Sequence, residues 1–242
     1  MGDNRNSTSY FRQGLKDGFP ICLGYLSVSF AFGITVVGSG FSPWVAVLIS
    51  ITNLTSAGQL AGLTVMAAGG GMIEMALTQL VINMRYALMS FSLTQKLSER
   101  FTLVDRFLVS FVITDEIFAV AASQEEDVQR SYMAGLALTP ILGWTCGTGL
   151  GSVASGLLPA GVVSALGIAI YGMFIAIVIP EIRKFRPVLI VVLIAVAFSC
   201  LFHFCPLFDS LSSGFIIIIS SVAASFAGAV LHPTEQEEQD HE

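Results

Sequence analysis

The chain has 242 residues, of which 54% are hydrophobic and only 12% are charged, and its mean hydropathy is +0.79. Soluble domains usually carry about 25% charged residues, so this composition excludes a soluble globular domain, a disordered chain and a nucleic-acid-binding protein. The formal net charge is −6, but five acidic residues lie after Leu231 in a tail without Lys or Arg, and the rest carries −1. The body is therefore a nearly neutral, apolar polypeptide.

Long uncharged stretches predict helices embedded in a membrane. No Asp, Glu, Lys or Arg occurs in the 56 residues between Asp17 and Glu74 or in the 50 residues between Arg130 and Glu181. A transmembrane helix needs about 20 apolar residues, so each long stretch has room for two crossings. Further single segments are predicted at residues 72–92, 106–122, 187–208 and 210–234. We expect an all-α polytopic membrane protein with about eight membrane-embedded helical segments, some of them broken or re-entrant.

The same pattern divides the chain into three parts. We predict a cytoplasmic amino-terminal segment at residues 1–14, a single transmembrane transport domain at 15–231 and an acidic carboxyl-terminal tail at 232–242. The sequence contains no Walker A motif, no His-Glu-x-x-His zinc motif and no Gly-x-Ser-x-Gly nucleophile elbow. We therefore predict neither an enzyme nor a cofactor.

Basic residues set the expected orientation. They concentrate before residue 17, between residues 96 and 106, and between residues 183 and 186. The positive-inside rule puts the amino terminus in the cytoplasm and favours one side for all three clusters. Counting three crossings between successive clusters puts them on alternate sides instead.

Two explanations of this conflict remain open. In the first, each long uncharged stretch holds one true span and a re-entrant or broken segment. In the second, the middle cluster is outside, and the chain is an internal inverted repeat of two three-segment units plus two carboxyl-terminal helices. Both explanations leave the two termini in the cytoplasm.

Both long stretches are interrupted by residues that weaken helices. The first carries four polar side chains that need partners inside the membrane and are candidate substrate-binding groups: Asn53, Thr55, Ser56 and Gln59. In the second, Gly143, Gly147 and Gly151 recur at every fourth position. Small residues at that spacing let membrane helices approach closely, so we interpret the second interruption as a packing surface.

Three charges fall within apolar runs. Arg85 lies about as far before the connection at residues 93–105 as Asp115 and Glu116 lie after it, so antiparallel helices place all three at similar depth. A lone charge at mid-bilayer costs roughly 2.5–3.5 kcal/mol. We predict an ion pair of Arg85 with one acid, and the second acid is a candidate proton carrier. A purely structural bridge is the alternative. Glu74, at the start of a run, is expected at the membrane interface.

The four cysteines lie within or beside apolar segments. Cys200, His203 and Cys205 form a group whose spacing fits no standard zinc pattern, so no metal site is predicted. We interpret all four cysteines as small, buried structural residues.

Several short motifs, taken in order, resemble the AzlC family of branched-chain amino acid permeases. Gly18-Phe-Pro20 and Ser56-Ala-Gly-Gln59 look like its early segments, Asn83-Met-Arg85-Tyr86 is similar to its Asn-x-Arg-His signature, and Thr114-Asp115-Glu116 resembles its Thr-Asp-Glu signature. Leu142-Gly-Trp144 follows in the expected order. Asn83 joins the candidate substrate-binding groups through this resemblance. Tyr86 departs from the family, which usually has His there.

The resemblance implies a function that the residues alone do not. It implies a secondary transporter that exports valine, leucine or isoleucine across the bacterial inner membrane, driven by protons and working with a small AzlD-like membrane subunit. Its other expected partners are the lipid bilayer, the amino acid and protons, without nucleic acid. The alternatives are a membrane scaffold or assembly subunit that transports nothing, and a channel for small solutes.

Overall fold

A computed structural model describes residues 7–208 and 211–231. These residues form α-helices joined by short loops and one 3-10 turn at Pro206–Phe208. The helices are α1 (Ser7–Gly38), α2 (Pro43–Thr52), α3 (Ser56–Ala67), α4 (Met72–Thr94), α5 (Leu103–Val112), α6 (Asp115–Ala122), α7 (Arg130–Ala154), α8 (Ala160–Lys184), α9 (Arg186–Phe204) and α10 (Ser213–Leu231). The predicted acidic tail and the first six residues of the predicted amino-terminal segment lie outside the described residues, and α1 includes the rest of that segment.

Three of these helices are both long and apolar enough to cross a bilayer. Within the described residues they are α1, α9 and α10. Large apolar side chains on the outside of α9, such as Leu193 and Phe204, are exposed, as lipid-facing residues must be. The all-helical membrane class is confirmed, whereas the count of eight embedded segments and the internal repeat stay predictions.

The chain folds as two compact units. Unit 1 comprises residues Met1–Leu60 and Asn83–Tyr171, and unit 2 comprises Ala61–Ile82 and Gly172–Glu242. The single transport domain predicted for residues 15–231 thus consists of two units, and its role as one transport domain stays a prediction.

The centre of unit 1 is a close parallel pair formed by α1 and α7. A Cβ atom on each of three α7 glycines would collide with a backbone oxygen of α1, in successive pairs: Gly143 with Cys22, Gly147 with Leu26, and Gly151 with Phe30. Because the residue numbers rise together, the two helices run in the same direction. The glycine run therefore provides a packing surface at which two backbones touch.

Two loops lie side by side where α1 and α7 begin, and we call this the basic end of unit 1. Val128 N donates to the Lys96 carbonyl at 2.8 Å, and Ser98 N donates to the Val128 carbonyl at 3.1 Å. On α7, the Tyr132 hydroxyl donates to Asp17 of α1 at 2.8 Å. The end of α4 and the beginnings of α1 and α7 are thereby held together.

The beginning of α1 and the middle basic cluster meet at the basic end. Arg100, of the middle cluster, lines the same cavity as Tyr10 and Phe11 near the beginning of α1. The explanation that uses a re-entrant or broken segment predicts this placement. The inverted-repeat explanation puts the middle cluster across the membrane from the amino terminus, and the internal repeat stays a prediction.

The predicted single segment at residues 106–122 is in fact two short helices. At about 15 Å, α5 is half the length needed to cross a bilayer. It begins at a capping box whose Asp105 also pairs with Arg130 Nε at 2.9 Å. The second helix, α6, ends where Lys96 Nζ donates to the Ala122 carbonyl at 2.6 Å. Since both ends lie at the basic end, the segment returns to the end of unit 1 at which it starts.

In unit 2, Glu74 lies inside the protein, and its expected place at the membrane interface stays a prediction. Glu74 is only 6% exposed, and its Oε1 accepts a hydrogen bond from Gly214 N at 2.8 Å, in the first turn of α10. The two glycines beside the carboxylate, Gly70 and Gly214, have no side chain to displace it. A carboxylate that accepts from a helix N-terminus keeps a hydrogen-bond donor without water, and therefore burial is tolerated.

The prediction that all four cysteines are buried is wrong for two of them. All four are free thiols, but Cys146 and Cys200 are exposed and Cys22 and Cys205 are half-buried. Hydropathy predicts that a residue lies within the membrane, but it does not predict whether protein or lipid covers it.

Candidate functional site

Unit 1 contains two places where a helix pair is interrupted, and the first is uncharged. We call Asn53–Thr55, between α2 and α3, the neutral break. Asn53 has an extended backbone, and its side-chain Oδ1 accepts from Thr55 N at 3.1 Å and from Thr55 Oγ1 at 2.6 Å. Asn side chains that bond the backbone two residues later favour turns over helices, so the sequence itself produces this break.

Gln59 closes the neutral break from the side of α3. Its Nε2 donates to the Asn53 carbonyl, and its Oε1 accepts from Trp144 Nε1 of α7 at 3.1 Å. Gln59 and Trp144 are 1% and 2% exposed. One turn along α7, the Thr148 and Ser50 hydroxyls lie 2.7 Å apart and hold α2 against the same helix. The Gln59 amide, the Trp144 N–H and the two hydroxyls are therefore satisfied by protein.

The second interruption carries charge, and we call Ile113–Thr114 the acidic break. Both residues are extended, which follows from the β-branched run Val112-Ile-Thr114, because such side chains crowd a helix. Thr114 Oγ1 accepts from Ile117 N at 3.4 Å and caps α6. Asp115 and Glu116 occupy the first turn of α6, where the helix dipole favours carboxylates.

Arg85 of α4 pairs with Asp115 at the acidic break. Arg85 Nη1 lies 3.0 Å from Asp115 Oδ2, and Arg85 Nη2 donates to the Tyr86 hydroxyl at 2.8 Å. The guanidinium carbon also lies 4.7 Å from the centre of the Tyr86 ring. Tyr86 therefore holds the arginine through both its hydroxyl and its ring.

Glu116 has a different partner. Its Oε2 accepts a hydrogen bond from the Tyr25 hydroxyl of α1, which also lies 2.7 Å from Thr114 Oγ1. Adjacent residues of a helix point about 100° apart, so both acids cannot face Arg85 equally. Asp115 therefore pairs with a guanidinium, whereas Glu116 pairs with a phenol.

A continuous line of contacts joins the two breaks through Tyr25 and Trp144. The two rings meet edge to face, with centroids 5.1 Å apart and an interplanar angle of 80°. The line runs from Glu116 through Tyr25, Trp144 and Gln59 to Asn53. Within the parallel pair, α1 supplies the phenol and α7 supplies the indole.

The charged part of this arrangement is partly open. The side chains of Arg85 and Asp115 are 43% and 40% exposed. Lipid contact at membrane depth is costly for such groups, so water or another polypeptide must cover them. Beside them, an open cleft of about 500 Å³ has Tyr86, Phe91 and Phe107 in its lining. A charged group and an apolar surface thus lie together.

Two further predicted residues flank these groups. Ser56 is the first residue of α3 and adjoins the neutral break. Asn83 lies on α4 two residues before Arg85 and is half-buried. Two residues correspond to about 200° around a helix, so Asn83 and Arg85 point to opposite sides of α4.

Sequence reasoning did not assign Tyr25 or Trp144 to the site. One feature of the sequence does distinguish Tyr25, because it is the only phenol in the uncharged stretch between Asp17 and Glu74. A hydroxyl or indole N–H within a membrane needs a hydrogen-bond partner, so each predicts one without identifying it.

The sequence profile of the AzlC protein family matches residues 20–158, more than half of the chain. The inner membrane protein YgaZ of Escherichia coli is 32% identical over 182 residues, covering 72% of this chain and 74% of its own length. An uncharacterized membrane protein of Archaeoglobus fulgidus is 31% identical over 180 residues, covering 74% and 78%. No solved structure matches the chain. Both breaks lie within the matched residues, and the chain belongs to the AzlC family of membrane proteins.

Proposed function

We propose that this protein is a secondary transporter that exports branched-chain amino acids across the bacterial inner membrane. Its termini lie in the cytoplasm, protons drive it, and a small AzlD-like membrane subunit assists it. The observation that carries the proposal is the line of contacts from the neutral break to the acidic break. Transporters commonly bind substrate and coupling ion at interrupted helices, because backbone groups are free there.

The neutral break suits the two charges of an amino acid. A helix that ends at Thr52 presents carbonyl oxygens to an ammonium, and one that begins at Ser56 presents amides to a carboxylate. The substrate-binding set is Asn53, Thr55, Ser56, Gln59 and Asn83. The apolar lining of the cleft beside Tyr86 supports an aliphatic substrate side chain.

The acidic break suits the coupled proton. Arg85 neutralises Asp115, whereas Glu116 accepts a hydrogen bond from a neutral phenol. A phenol can accept a hydrogen bond from a protonated carboxyl as well as donate one to an ionised carboxylate, whereas a guanidinium can only donate. We therefore assign Glu116 to carry the proton and the pair of Arg85 and Asp115 to position it.

The partial exposure of Arg85 and Asp115 supports a partner subunit. A second polypeptide covering this surface shields the ion pair from lipid and leaves the cleft for substrate. The small AzlD-like subunit implied by the family has that role in our proposal.

Efflux from membrane vesicles tests the function. Vesicles loaded with labelled valine are followed with and without an imposed proton gradient, with the partner subunit present. We expect gradient-dependent efflux in the native protein and none in the double variant Asp115→Asn, Glu116→Gln. Gradient-dependent efflux that survives the double substitution rejects the coupling role, and equal efflux from vesicles without the protein rejects transport.

A further inference from the structure

We infer that Tyr25 and Trp144 are positioning residues that transmit the protonation state of Glu116 to the neutral break. This inference rests on the proposed function, because it describes how the same two breaks act together. It assigns residues outside the sequence-predicted site to the transport step.

The first element of the argument is the hydroxyl of Tyr25. It carries one hydrogen and lies within bonding distance of two oxygens, Thr114 Oγ1 and Glu116 Oε2. An ionised Glu116 can only accept, so the phenol donates to it and receives the Thr114 hydroxyl hydrogen. A protonated Glu116 donates instead, and the phenol then donates to Thr114. One proton thus reverses the direction of both hydrogen bonds.

The second element is the contact between Tyr25 and Trp144. The edge-to-face geometry fixes the tilt of one ring against the other, and Trp144 is almost fully buried. A buried ring in a close-packed environment cannot turn without moving its neighbours. A change in the hydrogen bonds of Tyr25 therefore reaches the indole.

The third element is the position of Gln59. Its amide nitrogen bonds the Asn53 carbonyl, the acceptor that our proposal gives to the substrate ammonium. The indole N–H of Trp144 holds the other end of the same amide at 3.1 Å. In this arrangement Gln59 occupies the place of the substrate, and movement of Trp144 releases it.

Few titratable or charged groups face Glu116, so few protons can change the hydrogen bonds of Tyr25. Among the described residues these are Tyr25 on α1, Arg85 and Tyr86 on α4, and Asp115 on its own helix. Arg85 is bound to Asp115 and Tyr86, so the carboxyl group that contacts Tyr25 is that of Glu116.

Fluorescence provides a test that does not depend on transport. The chain has two tryptophans, and Trp44 is exposed, so Trp44→Phe leaves Trp144 as the single reporter. In this background we expect the indole emission to change with pH. The change is lost in Tyr25→Phe and in Glu116→Gln, and it remains in Asp115→Asn and in the control Tyr171→Phe, whose phenol is exposed. Emission that does not respond to pH, or a response that survives Tyr25→Phe, overturns the inference.

A transport measurement separates the inference from the proposed function. Tyr25→Phe keeps the ring against Trp144 and leaves the hydrogen bond between Trp144 and Gln59 in place, so we expect it to retain exchange of labelled for unlabelled valine without a gradient. Gradient-driven accumulation falls about tenfold or more, as expected for loss of a hydrogen bond to a charged group. Accumulation equal to that of Trp44→Phe and Tyr171→Phe overturns the inference. Absence of valine transport in the native protein rejects the proposed function, and the fluorescence test still decides the inference.

Discussion

The two breaks of unit 1 differ in what satisfies their polar groups. The neutral break is closed by its own neighbours, and Gln59 is buried between a backbone carbonyl and an indole. The acidic break is open, and its charges are shared with α1 and α4 while their side chains stay partly exposed. In our proposal, substrate recognition and proton transfer therefore lie on separate elements, both attached to the parallel pair α1 and α7.

The largest effect should come from the frame that both breaks share. Gly147 touches the backbone of Leu26, so Gly147→Val separates α1 from α7 and lowers the free energy of unfolding by about 3 kcal/mol. The measurement is the amount of folded protein in the membrane and its melting temperature in detergent. Gly161→Val is the control, because nothing lies within 4 Å of a Cβ atom there. Native-like abundance of Gly147→Val would contradict the packing described above.

Removing the cation tests the acidic break directly. Arg85→Ala leaves Asp115 without its guanidinium, at a cost of roughly 2.5–3.5 kcal/mol within a membrane. We expect valine efflux per molecule of protein to fall at least about tenfold, with partial recovery in Arg85→Lys. Efflux and abundance are measured on the same vesicles. A scaffold protein behaves differently, since its abundance falls while flux per remaining molecule stays unchanged.

Two substitutions should separate the tasks of the two breaks. Gln59→Leu leaves the Trp144 N–H and the Asn53 carbonyl without this partner, and we expect KM for valine to change by about tenfold. Glu116→Gln should instead flatten the pH profile of efflux and leave KM nearly constant. Saturation curves at several pH values give both quantities. Gln95→Leu is the control, because Gln95 is exposed. If Gln59→Leu and Glu116→Gln change KM alike, the two breaks do not have separate tasks.

The smallest expected effect lies at the basic end. Hydrogen bonds from the Thr102 hydroxyl and backbone N–H, assisted by Arg130, hold the pKa of Asp105 below its ordinary value of 3.8. Ionised Asp105 therefore stabilises the fold above that ordinary value, and this contribution is lost as the pH falls through the lowered pKa.

Melting temperatures at pH about 6 and about 3 measure this contribution. The native protein should lose a few degrees more than Asp105→Asn between the two conditions. Asp127→Asn, with its exposed side chain, is the control and should behave as the native protein does. An equal loss in native protein and Asp105→Asn would show that the cap and ion pair do not stabilise the loops.

The sequence predicted the composition of the site better than its connections. Charge-free stretches predict membrane helices because an isolated charge is costly there, and the same argument pairs Arg85 with either Asp115 or Glu116. Asn53 and Gln59 interrupt an apolar stretch, so the neutral break was visible as well. These predictions rest on local chemistry or on a cost that each residue bears alone.

What the sequence did not predict depends on packing between distant residues. The acidic break was not predicted, because mean hydropathy is an average over residues 106–122 and is insensitive to three β-branched residues in a row. Glu74 is buried because Gly70 and Gly214 leave room for its carboxylate, and these glycines are far apart in the chain. Tyr25 and Trp144 meet only because α1 and α7 run parallel at close range.

The parallel pair also determines when the site can form during synthesis. The groove on α1 that receives Gly147 stays empty until α7 has been made, roughly 6–25 s later at about 5–20 residues per second. During that interval Tyr25 and Gln59 lack Trp144, and the polar groups of the neutral break depend on other donors. Completion of the neutral break is therefore a late step of synthesis, and termination before α7 leaves a chain that has the partners of the acidic break and lacks the Trp144 that holds Gln59.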